Sequence, residues 1–146
     1  MAEIIAVCLS TAKGTAKIPS TQGVMKAGYG LEGDAHAGGD LHRQISLLAL
    51  ESIEKMNAEG FSFKPGDFAE NLTTCGIDLV SLPVGTRLTI GETTIIETTQ
   101  IGKKCHTGCA IFQKAGKCIM PREGVFARVV KGGIVKSGDS IRVCSG

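Results

Sequence analysis

The stretch Thr86–Gln100, TRLTIGETTIIETTQ, decides the fold class. Two runs rich in Thr and Ile flank Gly91-Glu92. β-Branched side chains pack well on a pleated surface, and a glycine between two such runs supplies the turn. The stretch therefore predicts a β-hairpin. Similar runs recur on both sides. Downstream are GVFARVVKGG (124–133) and DSIRVCSG (139–146), separated by turns at Gly132-Gly133 and Ser137-Gly138-Asp139. Upstream are AENLTTCG (69–76), ending at Gly76, and IIAVCL (Ile4–Leu9). Short strands with turns every eight to twelve residues predict a mostly β fold, a closed or partly closed β-barrel.

One segment breaks the pattern. ISLLALESIEKMNAEG (45–60) starts as an apolar run and continues with Leu50, Ile53 and Met56 at helical spacing. Glu51 and Glu54 sit near the start of that run and Gly60 at its end. This predicts a strand over Gln44–Leu48 and a helix over Ala49–Glu59. A short helix is expected in TGCAIFQKAG (107–116), ending near Gly116.

The chain has 146 residues, 42% of them hydrophobic, with no low-complexity stretch. That suffices for one domain with its own core, expected over 1–146. The net charge of +2 gives no reason to expect nucleic acid or a membrane surface as partner. No stretch approaches the roughly twenty apolar residues of a membrane span. The N-terminal apolar run lacks a basic flank and the length of a signal peptide. A cytoplasmic protein with reduced thiols is expected, so disulfides are not the first reading of the six cysteines.

Local charge is less even. Between Lys103 and Lys136 stand Lys103, Lys104, Lys114, Lys117, Arg122, Arg128, Lys131 and Lys136, against the single acid Glu123. Such a span can line an anion site or form a solvated face.

Three stretches could carry chemistry. GYGLEGDAHAGGDLHRQ (28–44) contains Gly28, Gly30 and Gly33 in the order of a nucleotide fingerprint, but without the strand before and helix after that the fingerprint needs. It reads better as a glycine-rich loop presenting Asp34, His36, His42 and Arg43. In KPGDFAENLTTCGID (64–78), Glu70-Asn71 stands where a turn meets a strand, and Asn there caps a turn or holds a ligand. GKKCHTGCAIFQKAGKCIMPREGVF (102–126) carries Cys105, His106, Cys109 and Cys118. Zinc sites come as two close pairs of ligands, and this spacing is not that pattern. Cys118 lies between Lys117 and the Pro121-Arg122 turn, where nearby cations would favour the thiolate, the nucleophilic and metal-binding form. Buried cysteines are the blander reading, and it is preferred for Cys8 and Cys75.

Taken in order, GLEGDAH (30–36), HRQISLLALESIEKM (42–56), PGDFAENLTTCGIDL (65–79), the hairpin and GVFARVVKGG resemble the MOSC domain. This domain is found at the C-terminus of molybdenum-cofactor sulfurases and as small stand-alone proteins. The resemblance spans Gly23 to Val143 and is closest to the stand-alone prokaryotic type. It implies a mostly β barrel with a few helices and one characteristic cysteine just before the GVFARV strand, here Cys118. In the family that cysteine is proposed to carry sulfur received from pyridoxal-phosphate-dependent cysteine desulfurases. In related reductases of N-hydroxylated compounds it is a molybdenum ligand.

Cys105 matches a second family cysteine. The GDFAENL segment, with Glu70 and Asn71, and the HRQ segment, with His42 and Arg43, match pocket-lining parts. The family's usual R-x-P-C form is replaced here by GKKCHTGC. The resemblance thus implies Cys118 as sulfur carrier or metal ligand and Cys105 as an auxiliary thiol. Molybdenum cofactor would be held with the help of His42, Arg43, Glu70, Asn71, Lys103, Lys104, His106, Arg122 and Arg128. It implies pyridoxal phosphate only on a partner enzyme, and a cysteine desulfurase or cofactor-biosynthesis proteins as partners. A molybdenum-dependent reductase, a non-catalytic cofactor-binding module and a structural zinc protein are the alternatives.

Overall fold

The computed structural model describes residues 2–10, 17–35, 37–38, 44–68, 70–101 and 124–144. The expected helix in 107–116 and the cysteine stretch 102–123 lie outside these residues. Eleven strands and one α-helix are described: β1 (Glu3–Leu9), β2 (Ile18–Ser20), β3 (Gln22–Lys26), β4 (Gly30–Leu31), β5 (Ile45–Ala49), α1 (Leu50–Asn57), β6 (Leu72–Cys75), β7 (Arg87–Ile90), β8 (Thr94–Ile101), β9 (Val125–Lys131), β10 (Gly133–Lys136) and β11 (Ile141–Val143).

The predicted hairpin is β7–β8. Ile90 pairs with Thr94, and Gly91 turns the chain at φ 62°. Thr94, Ile96 and Thr98 point inward in strict alternation, as a half-buried strand requires. The eight strands of the main sheet run β11-β7-β8-β9-β5-β6-β1-β2. This sheet curls strongly, so that its two ends meet. Glu3 of β1 bridges to Ser140 just before β11, and the Ile4 N–H donates to the Asp139 carbonyl at 2.8 Å. A second sheet, β10-β3-β4, adds Met25, Leu31 and Val135 to the core inside the curl.

The ISLLAL run resolves as strand then helix with no intervening loop. β5 is buried on both faces, which is why it reads as a continuous apolar run. Ile45 and Leu47 face the barrel core. Leu48 faces a second cluster beneath α1, with Ile53, Met56, Phe63, Phe68 and Phe126. Helix α1 carries the crossover to β6, and β5–β6 is the only parallel pairing among the described strands.

Four strands were not expected: β2, β3, β4 and β10. Glycine and proline disguise them. β2 is an exposed three-residue edge containing Pro19. β3 contains Gly23, where an added Cβ would stand 2.6 Å from Leu31 Cδ1 and 3.0 Å from Val7 Cγ1. Close approach to the core, not a turn, demands glycine there. The expected turn residue Gly133 opens β10.

Core burial sets a testable contrast. Leu47 is fully buried, whereas Ile134 is 57% exposed. Chemical denaturation of Leu47→Ala is expected to show a loss of about 2–5 kcal/mol. Ile134→Ala should stay within about 0.5 kcal/mol of wild type.

Candidate functional site

The GDFAENL segment folds around two buried polar side chains. Glu70 is fully buried. Its Oε2 accepts the Gly66 N–H at 2.9 Å and the Thr73 hydroxyl at 2.7 Å, and its Oε1 accepts the Phe68 N–H at 3.2 Å. Burial nonetheless pushes its carboxyl above the ordinary value, because three donors only partly replace water. Asn71, also fully buried, bridges strands. Its Oδ1 accepts the Ser46 N–H at 2.9 Å, and its Nδ2 donates to the Cys8 carbonyl at 3.1 Å. Both side chains are thus spent on the protein's own framework.

Cys8 lies against this cluster. Burial, then the Glu70 carboxylate, push its thiol up to about 12. It is a protonated, inert thiol at neutral pH, as expected for a core cysteine. Cys75 departs from that expectation: it is half-buried at the end of β6, near Glu3. Burial and the Glu3 and Glu51 carboxylates hold its thiol up as well. Cys144 contacts the Thr89 hydroxyl at 2.9 Å.

Lys17 and Asp34 form a buried ion pair that the sequence did not flag. Lys17 Nζ lies 2.8 Å from Asp34 Oδ1, with both side chains fully buried. The same oxygen accepts the Ser10 N–H at 3.1 Å. Lys17 also donates its backbone N–H to the Gly66 carbonyl at 2.7 Å. Gly66 has φ 91°, and a Cβ there would collide with the Lys17 carbonyl. Nothing in a polar stretch such as AKGTAKIPS announces a buried lysine, since its partner is seventeen positions away. In the sequence Asp34 stands out only as part of the glycine-rich loop.

Arg128 is the one predicted cofactor cation among the described residues. Its Nε and Nη2 both lie 2.8 Å from Glu97 Oε2. Arg87 Nε contacts the other oxygen of Glu97 at 3.2 Å. The two guanidinium groups hold the Glu97 carboxyl below its ordinary value. Arg128 stands at the edge of an open cleft of about 490 Å3 with Gln44, Val84 and Thr99.

His42, Arg43, Lys103, Lys104, Cys105, His106, Cys118 and Arg122 lie outside the described residues. The strands that flank them are described. Gln44, just after His42-Arg43, leads into β5, where Ile45 pairs with Ala127. The cysteine stretch leaves β8 at Ile101 and rejoins near Val125, which pairs with both Ile101 and Leu47. Two strand residues, about 7 Å at 3.3 Å each, separate these two roots along β5. Asn71 bonds to Ser46, between them. Among the described residues, no three His, Cys, Asp or Glu side chains gather as a metal cluster. No described helix is long and apolar enough to cross a membrane.

A model of the MOSC domain matches residues 33–142, most of the chain. The chain belongs to the MOSC domain family. Members of that family are linked to molybdenum-cofactor binding. Solved structures agree in fold. YuaD from Bacillus subtilis superposes with TM-score 0.81 at 20% identity, covering 100% of this chain and 97% of that one. YiiM from Geobacillus stearothermophilus gives 0.74 at 17%, covering 99% and 76%. YiiM from Escherichia coli gives 0.70 at 18%, covering 99% and 70%. No curated protein matches the chain in sequence.

Two measurements test this MOSC framework. Replacing Glu70 with Gln turns one acceptor oxygen into a donor group facing N–H and O–H partners. It should destabilise by about 1–3 kcal/mol in urea titration. Its pH dependence has a defined sign. The folded-state carboxyl titrates above 4.5, so its contribution is complete below that value and shrinks as pH rises through the folded value. The stability gap between wild type and Glu70→Gln should therefore narrow on going from acid toward neutral pH. Separately, iodoacetamide at neutral pH should leave Cys8 unmodified in the native protein and label it once the protein is unfolded.

Proposed function

We propose that this MOSC protein works through a thiol of the 102–123 segment, with Cys118 carrying sulfur as a persulfide for a molybdenum-cofactor centre. The observation that supports this reading most is the condition of the other thiols. Cys8 is buried with its thiol pushed up to about 12, and Cys75 is held up beside two carboxylates. Neither is poised as a thiolate. Cys118 instead follows Lys117 and precedes Arg122, in the position that the family pattern gives its characteristic cysteine.

The transfer is a thiol exchange. The Cys118 thiolate attacks the terminal sulfur of a donor persulfide. The Cys118–sulfur bond forms, the donor's sulfur–sulfur bond breaks, and the donor thiolate leaves with the electron pair. Cys118 then holds the sulfane sulfur for an acceptor, with no net redox change. Cys105 is the auxiliary thiol: its thiolate would attack the Cys118 sulfur of the persulfide, forming a Cys105–Cys118 disulfide while the outer sulfur leaves as hydrosulfide with the electron pair. The donor would be a cysteine desulfurase, and pyridoxal phosphate would belong to it.

The described residues fit a bound molybdenum cofactor only in part. When bound, that group would supply the metal that accepts sulfur. Arg128 keeps N–H donors for its anionic part, whereas the Glu70 carboxylate has none and Asn71 is buried and bonded into the framework. Their role in this reading is to position the roots of the HRQ and cysteine segments. His42, Arg43, Lys103, Lys104, His106 and Arg122 are the remaining candidate contacts.

Expression in a host that makes molybdenum cofactor, followed by metal and pterin analysis, tests the assignment. Persulfide loading by a desulfurase and cysteine is expected for wild type and lost in Cys118→Ala, with Cys105→Ala still loading. Stable molybdenum and pterin in wild type, lost in Cys118→Ala without any persulfide, would favour the reductase or the binding module instead. A Cys118→Ala protein unchanged in metal, pterin and persulfide would overturn the assignment.

A further inference from the structure

The outer face of β7, β8 and β9 carries a charge arrangement that the framework does not consume. Arg87 and Arg128 share the carboxylate of Glu97, so among the described residues this patch keeps one uncompensated positive charge. Arg128 has five N–H donors and spends two of them, through Nε and Nη2, on Glu97. The carboxylate thereby fixes the plane of the guanidinium beside the cleft, which lowers the entropy cost of using its other edge.

A second donor converges on the same cleft. Gln44 is 97% buried by side chain and backbone together, being 3% exposed, and its Oε1 accepts the Val129 N–H at 2.9 Å. An N–H donor can be met only by the amide oxygen, so this bond fixes the orientation of the amide group. The Nε2 amino group is left as a donor at the cleft. Between these groups the β8 strand slips register at Thr99, between Thr98 and Gln100. Bulges of this kind re-aim side chains and recur beside binding sites. Gly28 and Gly85 border the cleft without side chains that could fill it, and Val84, 59% exposed, gives it one apolar wall. Its volume, about 490 Å3, is that of a small-ligand site.

We infer that this cleft binds a compact oxyanion, a phosphate or carboxylate group, on the Arg128 guanidinium and the Gln44 amide. Both anions match the guanidinium fork, and the uncompensated charge supplies the attraction. The inference deepens the function proposed above, because the cleft adjoins the roots of the HRQ and cysteine segments. The binding itself involves no thiol and stands apart from the chemistry assigned to Cys118.

Isothermal titration calorimetry with inorganic phosphate, and in parallel with acetate, tests it. Wild type should bind phosphate saturably and more weakly as chloride is raised. Arg128→Gln should lose at least about tenfold in affinity, as expected when a charge-assisted pair is removed. Glu97→Gln keeps the shape, removes the competing charge and should bind more tightly. Lys26→Gln on β3 should bind as wild type. Phosphate binding is measured with no persulfide donor present, so it can fail while Cys118 still loads sulfur, and the reverse. Preference for phosphate over acetate would assign the ligand as a phosphate ester, and the reverse as a carboxylate. Circular dichroism should confirm that Arg128→Gln folds. Absence of saturable binding in wild type, or wild-type affinity in folded Arg128→Gln, would overturn the inference.

Discussion

The Asn71 amide bonds to strands on both sides of its own: its oxygen accepts the Ser46 N–H of β5 while its nitrogen donates to the Cys8 carbonyl of β1. Both neighbours are fully covered, so no water can replace either bond, and losing one would leave a buried polar group unpaired. This ties the outer face of β1, β6 and β5 into one rigid unit. β5 in turn is packed on both faces, by the barrel core and by the cluster under α1. The segments that carry the candidate residues adjoin this strand at Gln44 and run between β8 and its partner β9. The described residues that flank the two candidate segments therefore sit on neighbouring strands, with about 7 Å along β5 between Ile45 and Leu47.

Charge divides along the same line. The Lys17–Asp34 pair and Glu70 are buried, and each is met by close partners within the protein. Taking charges out of water costs several kcal/mol per ion, and the partners roughly offset that cost, so such groups specify a loop's position more than they add stability. Asp34 binds both Ser10 and Lys17 and so clasps the two ends of the segment between them. Gly66 is locked against Lys17 by the same packing. The exposed arginines behave differently. Arg87 and Arg128 remain in contact with solvent and share one carboxylate.

Much of the fold could be read from residue patterns. The hairpin at 86–100, the strands at 125–131 and 141–143, and the strand-to-helix passage at 45–57 all follow from β-branched alternation or helical spacing. β3, β4 and β10 escaped because their glycines answer to close packing, which local propensity does not see. The site was legible in a different way. The order of motifs pointed to the MOSC family, and the matching of residues 33–142 bears that out. The partners of Asn71, Lys17 and Arg128 were not legible. Each depends on contacts that folding creates between distant positions, such as Asn71 with Cys8 or Arg128 with Glu97. Cys8 could be read as a core thiol kept protonated by burial, but not the Glu70 carboxyl beside it that adds to that effect.

In the proposed function one thiol, not six, carries the sulfur. Peptide mass mapping of the wild-type protein after incubation with a cysteine desulfurase and cysteine addresses it directly. The peptide containing Cys118 should gain the mass of one sulfur atom, reversed by a reductant, while the peptides containing Cys8 and Cys75 should stay unmodified. Sulfur appearing on Cys8 or Cys75 with Cys118 unmodified would contradict it.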